Sequence, residues 1–179
     1  MTSILGIVAS SILKSSTSYE SIATTTVGAG GTSSISFTSI PQTYTHLQLR
    51  YFGGNNANPG GSGFVSFNGD TTGTNYYDHV LYGSGTSAAS AADANGRYLP
   101  YNLGDVNKWG VNITDILDYT NTNKFTVARS LGGYDANGSG YVLFASNLWK
   151  NTAAVTSITI QTSQSFVQYT QFALYGIKG

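Results

Sequence analysis

The feature that most constrains the fold is a period-two alternation of apolar and polar residues, which recurs in short segments along the chain. In a strand, β-branched and aromatic residues at every second position share one face, which can lie in a core. In an amphipathic helix the apolar residues recur about every 3.6 residues instead. The pattern is sharpest in the C-terminal half, at residues 111–117, 125–131, 141–146, 155–160 and 172–177. We therefore predict an all-β chain.

The N-terminal half carries further strand segments. Residues 22–27 alternate so that Ile22, Thr24 and Thr26 share one face. Residues 64–68 and 76–82 are separated by an Asn-Gly turn signal and a Thr/Gly stretch, a spacing that predicts a β-hairpin.

Gly, Asn, Ser and Asp separate the strand segments. Residues 55–63 have almost nothing to bury and predict an exposed loop, while residues 83–95 predict a surface excursion or one weak helical turn. Turn signals also lie at residues 135–140 and 161–164. Regular short strands with such turns indicate an antiparallel β-sandwich of about ten strands.

The sandwich is expected to span residues 19–179 as a single domain, since 179 residues suit one core better than two. Residues 1–18 are set apart as a short N-terminal arm. An isolated arm would expose too much apolar surface, so we predict that it docks on a neighbouring subunit. The alternative is an edge strand or short helix of the same domain. The candidate interface residues of the arm are Ile4, Leu5, Ile7, Val8, Ile12 and Leu13.

Charge is scarce and balanced. Eight Lys and Arg and eight Asp and Glu make up 9% of the chain, against about a quarter in ordinary soluble domains. Without a basic excess, nucleic acid is not an expected partner. We predict instead that the hydroxyl- and amide-rich surface is mostly protein interface, with the charges at its rims.

Other classes of protein are disfavoured by what the sequence lacks. The chain has no cysteine, which excludes disulfides, thiolate metal sites and a cysteine nucleophile. No apolar run approaches the roughly 18 residues that span a bilayer, so no membrane association is expected. The apolar start has no Lys or Arg before it and makes a poor signal peptide, so export by a standard secretory route is not expected.

The two histidines, His46 and His79, are the natural candidates for acid–base chemistry. No Gly-x-Ser-x-Gly elbow or other local signature accompanies them, and a triad is defined by geometry rather than by the number of serines. We interpret His46 as a structural histidine. The sequence predicts no enzyme and no cofactor.

A second candidate site is the tetrapeptide Asp-Ala-Asn-Gly, which occurs at residues 93–96 and 135–138. The oxygens of Asp135, Asn137 and Ser139 alternate like the start of a calcium loop, but no Glu follows to complete it. Asn-Gly is also the strongest signal for a hairpin turn. We favour a turn without metal.

Aromatic residues are the third candidate. Tyr76 and Tyr77 are adjacent, so on one strand they point to opposite faces, and both are predicted interface residues. Phe125, Phe144 and Phe172 lie in strong strand segments and are predicted core residues.

Two parts of the sequence resemble small virion structural proteins of tailed bacteriophages, including phages of cyanobacteria. The N-terminal part comprises YESIAT at residues 19–24, ISFTSIP at 35–41 and YTHLQLR at 44–50. The C-terminal part comprises DYTNTNK at residues 118–124, LWKNTAA at 148–154, ITI at 158–160 and FALYGIK at 172–178. Residues 53–107 match only loosely. These are strand and turn signatures, not catalytic ones.

The resemblance implies a jelly-roll-like sandwich that assembles as a homotrimer in the virion. Its first implied role is capsid cement or decoration, with the major capsid protein as partner and the arm as a tether. The alternative is a tail-fibre or tail-tip component that binds host glycans, since Tyr and Trp near Asn-rich loops can stack on sugar rings.

Overall fold

The protein is described here from a computed structural model, which covers residues 18–57, 63–94, 96–97 and 104–179. The regular structure of these residues consists almost entirely of strands, so the all-β prediction is confirmed. All of the strand pairs are antiparallel. One turn of 3₁₀ helix, Gly73–Asn75, is the sole helical element in that part of the chain. The strands are β1 (Tyr19–Thr26), β2 (Thr32–Phe37), β3 (His46–Gly53), β4 (Gly63–Phe67), β5 (Tyr76–Gly83), β6 (Ala88–Asp93), β7 (Gly110–Leu117), β8 (Thr126–Asp135), β9 (Gly140–Trp149), β10 (Ile158–Phe166) and β11 (Gln171–Ile177).

The strands form two sheets. The large sheet has the order β1-β11-β3-β7-β8-β9-β5-β6, and the small sheet has the order β2-β10-β4. The chain alternates between the sheets from β1 to β5 and again from β9 to β11, and the two sheets pack as a β-sandwich. The strands β8, β9, β5 and β6 extend the large sheet well beyond the width of the small one.

The small sheet has a covered edge beside β4. The backbone N–H of Val65 donates to the carbonyl of Arg97 at 2.7 Å, and the Arg97 guanidinium donates to Ser66 Oγ at 2.8 Å. The chain at residue 97 thus lies where a fourth strand of this sheet would pair. It satisfies donors that an open edge would leave free.

The core lies between the two sheets and follows the predicted alternation. It is built from inward side chains of both sheets: Leu47, Leu49, Tyr51, Ile116, Phe172 and Leu174 on the large sheet, and Phe37, Val65, Phe67, Ile158, Ile160 and Phe166 on the small one. Tyr51, Phe166 and Phe172 form an aromatic cluster at its centre, with ring centroids 4.9–6.5 Å apart. A smaller cluster of Val80, Leu143 and Ala145 lies on the extension.

Several local predictions are wrong. Residues 64–68 and 76–82 do not pair as a hairpin, because β4 pairs with β10 in the small sheet and β5 pairs with β6 and β9 in the large one. The segment predicted as a surface excursion contains strand β6.

Two predicted loop or turn segments also differ. The turn signal at residues 161–164 lies inside β10. Asn55, placed in an exposed loop by its neighbours, is fully buried and pairs with Phe166 as an isolated bridge.

The predicted shared face of Ile22, Thr24 and Thr26 is interrupted. The register of β1 against β11 shifts between Ser21 and Ala23, which is a β-bulge. Because the bulge moves every later side chain to the opposite face, Thr24 and Thr26 are exposed.

The arm residues lie outside the described part of the chain, and its docking on a neighbour stays a prediction. Within that part, no helix is long and apolar enough to cross a membrane.

Candidate interaction surface

The large sheet has an apolar outer face. On β3, β5, β7, β8 and β9 the inward positions build the core, so the alternate positions point away from the small sheet. Many of these outward positions hold large apolar side chains, which the structure leaves exposed. They are Phe52, Leu81, Val111, Ile113, Leu131, Val142 and Phe144, and we call them the outer apolar face.

The strand register makes this face continuous. Ile113 pairs with Leu131, Leu131 with Phe144, and Phe144 with Leu81, which gives one apolar row across four strands. Leu131 is 58% exposed and Phe144 is 49% exposed. An antiparallel sheet that faces water normally carries polar residues on that side. A contiguous apolar row instead marks an interaction surface.

A second row contains a hollow. Val111 pairs with Gly133, and Gly133 pairs with Val142 on its other side. A Cβ on Gly133 would lie 2.1 Å from the carbonyl oxygen of Tyr141, so the close approach of the backbone requires glycine there. The missing side chain leaves a depression between two exposed valines.

This hollow belongs to a groove of about 1190 Å³ on the outer face. Its wall beside β3 carries Phe52 and Trp109, whose rings are 5.1 Å apart. Among the described lining residues, Arg50 and Asp135 are the charged ones. The groove therefore suits an uncharged, apolar occupant.

A polar band borders the apolar row on the side away from the groove. Asp115 on β7 lies opposite Arg129 on β8 in the strand register. Gln48 Nε2 donates to Asp115 Oδ1 at 2.8 Å, and Arg50 Nε donates to Gln48 Oε1 at 2.7 Å. The Arg50 guanidinium lies 4.5 Å from the ring centre of Tyr175. Charge thus bounds the apolar surface.

Tyr76 and Tyr77, the two tyrosines predicted to be interface residues, point to opposite faces of β5, as neighbours on a strand must. Tyr76 is 2% exposed, donates from its hydroxyl to the carbonyl of Asp70 at 2.9 Å, and accepts from the backbone N–H of Phe67 at 3.0 Å. Burial raises the pKa of Tyr76 to about 12. Its prediction as an interface residue is wrong, because β5 turns it into the core. Tyr77 is half-buried on the outer face, where its hydroxyl lies 3.1 Å from Lys150 Nζ.

Of the three phenylalanines predicted to lie in the core, one is buried and two are exposed. Phe172 is fully buried, but Phe125 and Phe144 are 46% and 49% exposed, so the prediction is wrong for these two. Phe125 precedes β8, and Phe144 lies on the outer side of β9, where Leu143 and Ala145 are the buried neighbours. Apolar residues on both faces of β9 are the sequence signal that would have identified this surface.

The candidate calcium ligands lie in the hairpin turn between β8 and β9. Asp135 Oδ1 accepts from the backbone N–H of Asn137 at 2.7 Å, and the N–H of Ala136 donates to the carbonyl of Ser139 at 2.8 Å. Asn137 and Gly138 have φ of 55° and 95°, as an Asn-Gly turn requires. The turn interpretation is confirmed for residues 135–138, whereas the copy at residues 93–96 lies partly outside the described part of the chain. In the part of the chain that the structure describes, no three His, Asp or Glu residues gather into a metal site.

The two histidines are four strands apart in the sheet order and do not form one site. His46 Nδ1 accepts from the backbone N–H of Asp118 at 2.9 Å, which agrees with its interpretation as a structural residue. A hydrogen bond from the Lys124 ammonium, aided by the charge of Lys124, holds the pKa of Asp118 below its usual range. His79 lies on the outer side of β5, opposite Ser146.

Asp78 is a buried carboxyl that sequence reasoning missed. It lies on the inner side of β5 between Tyr76 and Val80, and it is 4% exposed. Burial, together with the nearby charge of Asp93, raises its pKa. Its Oδ1 accepts no hydrogen bond among the described residues. The alternation of Tyr76, Asp78 and Val80 is the signal that could have found it.

No family model matches the chain, and comparison with curated proteins and with solved structures gives no match either.

Proposed function

We propose that this protein is a structural component of a phage virion, a trimeric capsid cement or decoration protein that stabilises the head by protein–protein contacts. The observation that carries the proposal is the outer apolar face, which gives the chain a large surface suited to burial against protein. The sequence resemblance to phage virion proteins supplies the setting. The low charge of the chain agrees with a surface held permanently against other subunits.

The size of the face favours repeated rather than single contacts. Its seven side chains are each about half exposed, and fully burying a large apolar side chain contributes about 1.5–3 kcal/mol. Covering the exposed halves therefore contributes roughly 5–10 kcal/mol, against an association cost of about 4–15 kcal/mol. A single contact of this kind is weak to moderate. Three copies bound together on a lattice gain avidity.

The alternative function, a tail component that binds host glycans, is supported by one feature of the groove. Trp109 and Phe52 stand at its wall with their rings in contact, and aromatic rings of this kind pack on sugar faces. We place it second because the face is larger and more apolar than a pair of sugar-binding aromatics needs.

The decisive experiment adds the purified protein to phage heads assembled without it and measures the bound ratio. We expect saturation at a fixed number of copies per capsid subunit and a rise in the temperature at which the heads open. The variant Phe144→Ser should bind more weakly, because it removes part of the outer apolar face. The matched control, Ser36→Ala, changes an exposed residue of the small sheet and should bind as the original does.

Circular dichroism melting establishes that both variants are folded. Absence of saturable head binding, accompanied by strong signals on a glycan array, would overturn the decoration role and favour the tail component.

A further inference from the structure

We propose that Asp78, Asp93 and Asn147 bind a calcium ion at the inner face of the large sheet, where the ion fastens the edge strand β6 to its neighbours. The proposal adds a metal site to the protein. It depends neither on the virion role nor on the outer apolar face.

The strand register brings the three side chains into one row. Asp78 on β5 lies opposite Asp93 on β6 on one side and opposite Asn147 on β9 on the other. Residues directly opposite each other on antiparallel strands share a face, with Cβ atoms about 4.5–5.5 Å apart. Asp78 and Asn147 are 4% and 8% exposed, so the face that they share is the inner one. Three strands therefore place oxygen-bearing side chains next to each other beneath the sheet.

The direction of the Asp78 carboxyl is the observation that points to a ligand. Its Oδ1 is shielded from solvent and accepts no hydrogen bond from the described residues. A Cβ built on Gly96 would lie 1.7 Å from this oxygen and 3.2 Å from the Cβ of Asp93. Only glycine at position 96 leaves room for the carboxyl in this orientation. Oδ1 thus points toward the residue that carries the second carboxylate.

The surroundings of Asp78 make an uncompensated carboxylate costly. Its neighbours on the inner side of β5 are Tyr76 and Val80, which belong to the two apolar clusters, and a buried charge needs a partner. Among the described residues, no Lys or Arg forms an ion pair with Asp78, and His79 lies on the exposed side of β5. Burial and the like charge of Asp93 raise the pKa of Asp78. A divalent cation offsets both effects, because two carboxylates balance its charge.

The donor set favours calcium over other cations. Two carboxylates and one amide offer oxygen alone, and calcium takes about six to eight oxygen ligands in irregular geometry, including backbone carbonyls and water. Magnesium requires a near-ideal octahedron and gives up its water reluctantly. Since only two of the side chains are charged, we expect a Kd at the weak end of the range for calcium sites, about 10⁻⁴–10⁻³ M.

The edge strand β6 is the element that such an ion would stabilise. It is the outermost strand of the large sheet, and its residues from Ala88 to Ala92 are all exposed. Small side chains on an exposed strand bury little apolar area, so the backbone ladder with β5 is what holds β6. Segments of this kind open at low free-energy cost. An ion shared by Asp93, Asp78 and Asn147 would connect β6 to both β5 and β9.

Calorimetric titration of the metal-free, full-length protein with calcium tests the site. We expect one ion per chain. At a calcium concentration about ten times the Kd, the melting temperature should rise by about 3–6 °C, and hydrogen exchange of the β6 amides should slow by up to about tenfold. Magnesium at the same concentration should give a smaller rise in melting temperature.

Three variants locate the ion. Asp78→Asn and Asp93→Asn each remove one carboxylate at nearly constant size, and each should weaken calcium binding by roughly tenfold or more. In metal-free buffer Asp78→Asn should melt no lower than the original chain, because a buried amide costs less than a buried carboxylate, which establishes that it folds. The matched control is Asp135→Asn, which changes the same residue in the second Asp-Ala-Asn-Gly copy and should bind calcium as the original chain does.

Absence of calcium binding by the original chain would overturn the proposal and leave a pair of carboxyls that share a proton. Binding that survives in both Asp78→Asn and Asp93→Asn, or that is lost in Asp135→Asn alone, would also overturn it, because the ion would then lie elsewhere. Phage heads that bind a protein without affinity for calcium would leave the virion role intact, so the two proposals fail separately.

Discussion

Trp149 links a buried ring cluster to a carboxylate, and its replacement by Phe tests both parts at once. The indole is 1% exposed, packs on Phe67 with 5.5 Å between ring centres, and stacks on Tyr76. Its Nε1 donates to Asp70 Oδ2 at 2.9 Å. The variant Trp149→Phe keeps a ring in the core but removes this hydrogen bond and part of the packing volume.

The expected loss in the free energy of unfolding is the sum of two contributions. A hydrogen bond to a charged group contributes about 1.5–3 kcal/mol. Removing the second ring of the indole costs roughly another 1 kcal/mol through lost burial and an unfilled space. The free energy of unfolding of Trp149→Phe should therefore be lower by about 2.5–4 kcal/mol at neutral pH.

The pH dependence separates the two contributions. Burial alone would raise the pKa of Asp70, but hydrogen bonds from Trp149, Asn75 and Thr72 outweigh it and lower the pKa. A carboxyl with a lowered pKa contributes stability above its ordinary pKa, and this stability is lost as pH falls through the folded-state value. The difference between Trp149→Phe and the original chain should thus shrink toward about 1 kcal/mol in acid, where the packing loss remains.

Urea unfolding followed by far-ultraviolet circular dichroism measures this difference at neutral and acidic pH. Tyr77→Phe is the matched control, because Tyr77 is half-buried on the outer side of β5 with its hydroxyl beside Lys150, and its change should stay within about 0.5 kcal/mol. A loss below about 1 kcal/mol at neutral pH, or a loss that does not change with pH, would refute the assigned hydrogen bond.

Three further predictions follow from burial and close packing. Leu143→Ala should cost about 2–5 kcal/mol in urea unfolding, whereas its outward neighbour Val142→Ala should cost under about 0.5 kcal/mol in isolated chains; equal losses would contradict the two-faced description of β9. Asp78→Asn should raise the melting temperature at neutral pH and remove the fall in stability that a raised pKa causes as pH increases; a less stable variant would show that the carboxylate is needed. Gly176→Ala should destabilise the chain by about 1–3 kcal/mol, because the new Cβ would lie 2.3 Å from the Tyr44 ring, and unchanged thermal melting would contradict this contact.

Sequence patterning identified the strands that build the core, because one buried face imposes a strict alternation. Leu47, Leu49 and Tyr51 on β3 are all buried, and their polar neighbours face outward or toward the polar band. The same rule could not tell which face of β9 is covered. Val142 and Phe144 alternate as regularly as Leu143 and Ala145, and alternation states which residues share a face but not what lies on it.

Strand pairing was the weakest part of the sequence interpretation. β4 and β5 are close in sequence and separated by a turn signal, yet they belong to different sheets. Their partners, β10 and β9, are decided by contacts between residues far apart in the chain, which no local pattern encodes. The bulge in β1 is a similar case, since one extra residue at Ser21–Ala23 reverses the faces predicted downstream.

The residues of the candidate site were also poorly predicted from the sequence. Tyr77 lies on the outer side of β5, and its role as an interface residue stays a prediction, whereas Tyr76, predicted to be an interface residue as well, lies in the core. The main surface residues, including Leu131 and Phe144, were hidden because apolar residues in strands normally indicate a core.

The hollow at Gly133 has a consequence for how this surface can change over time. Its shape is fixed by backbone spacing, since no side chain fits between Gly133 and the carbonyl of Tyr141. The flanking positions, Val111 and Val142, lie on the outside and contribute little to folding. Exchange among Val, Ile, Leu and Phe at the flanks would therefore change the shape of the proposed contact surface while the sandwich itself stays unaltered. The outer surface can in this way diverge during evolution without any change in the core that holds the fold.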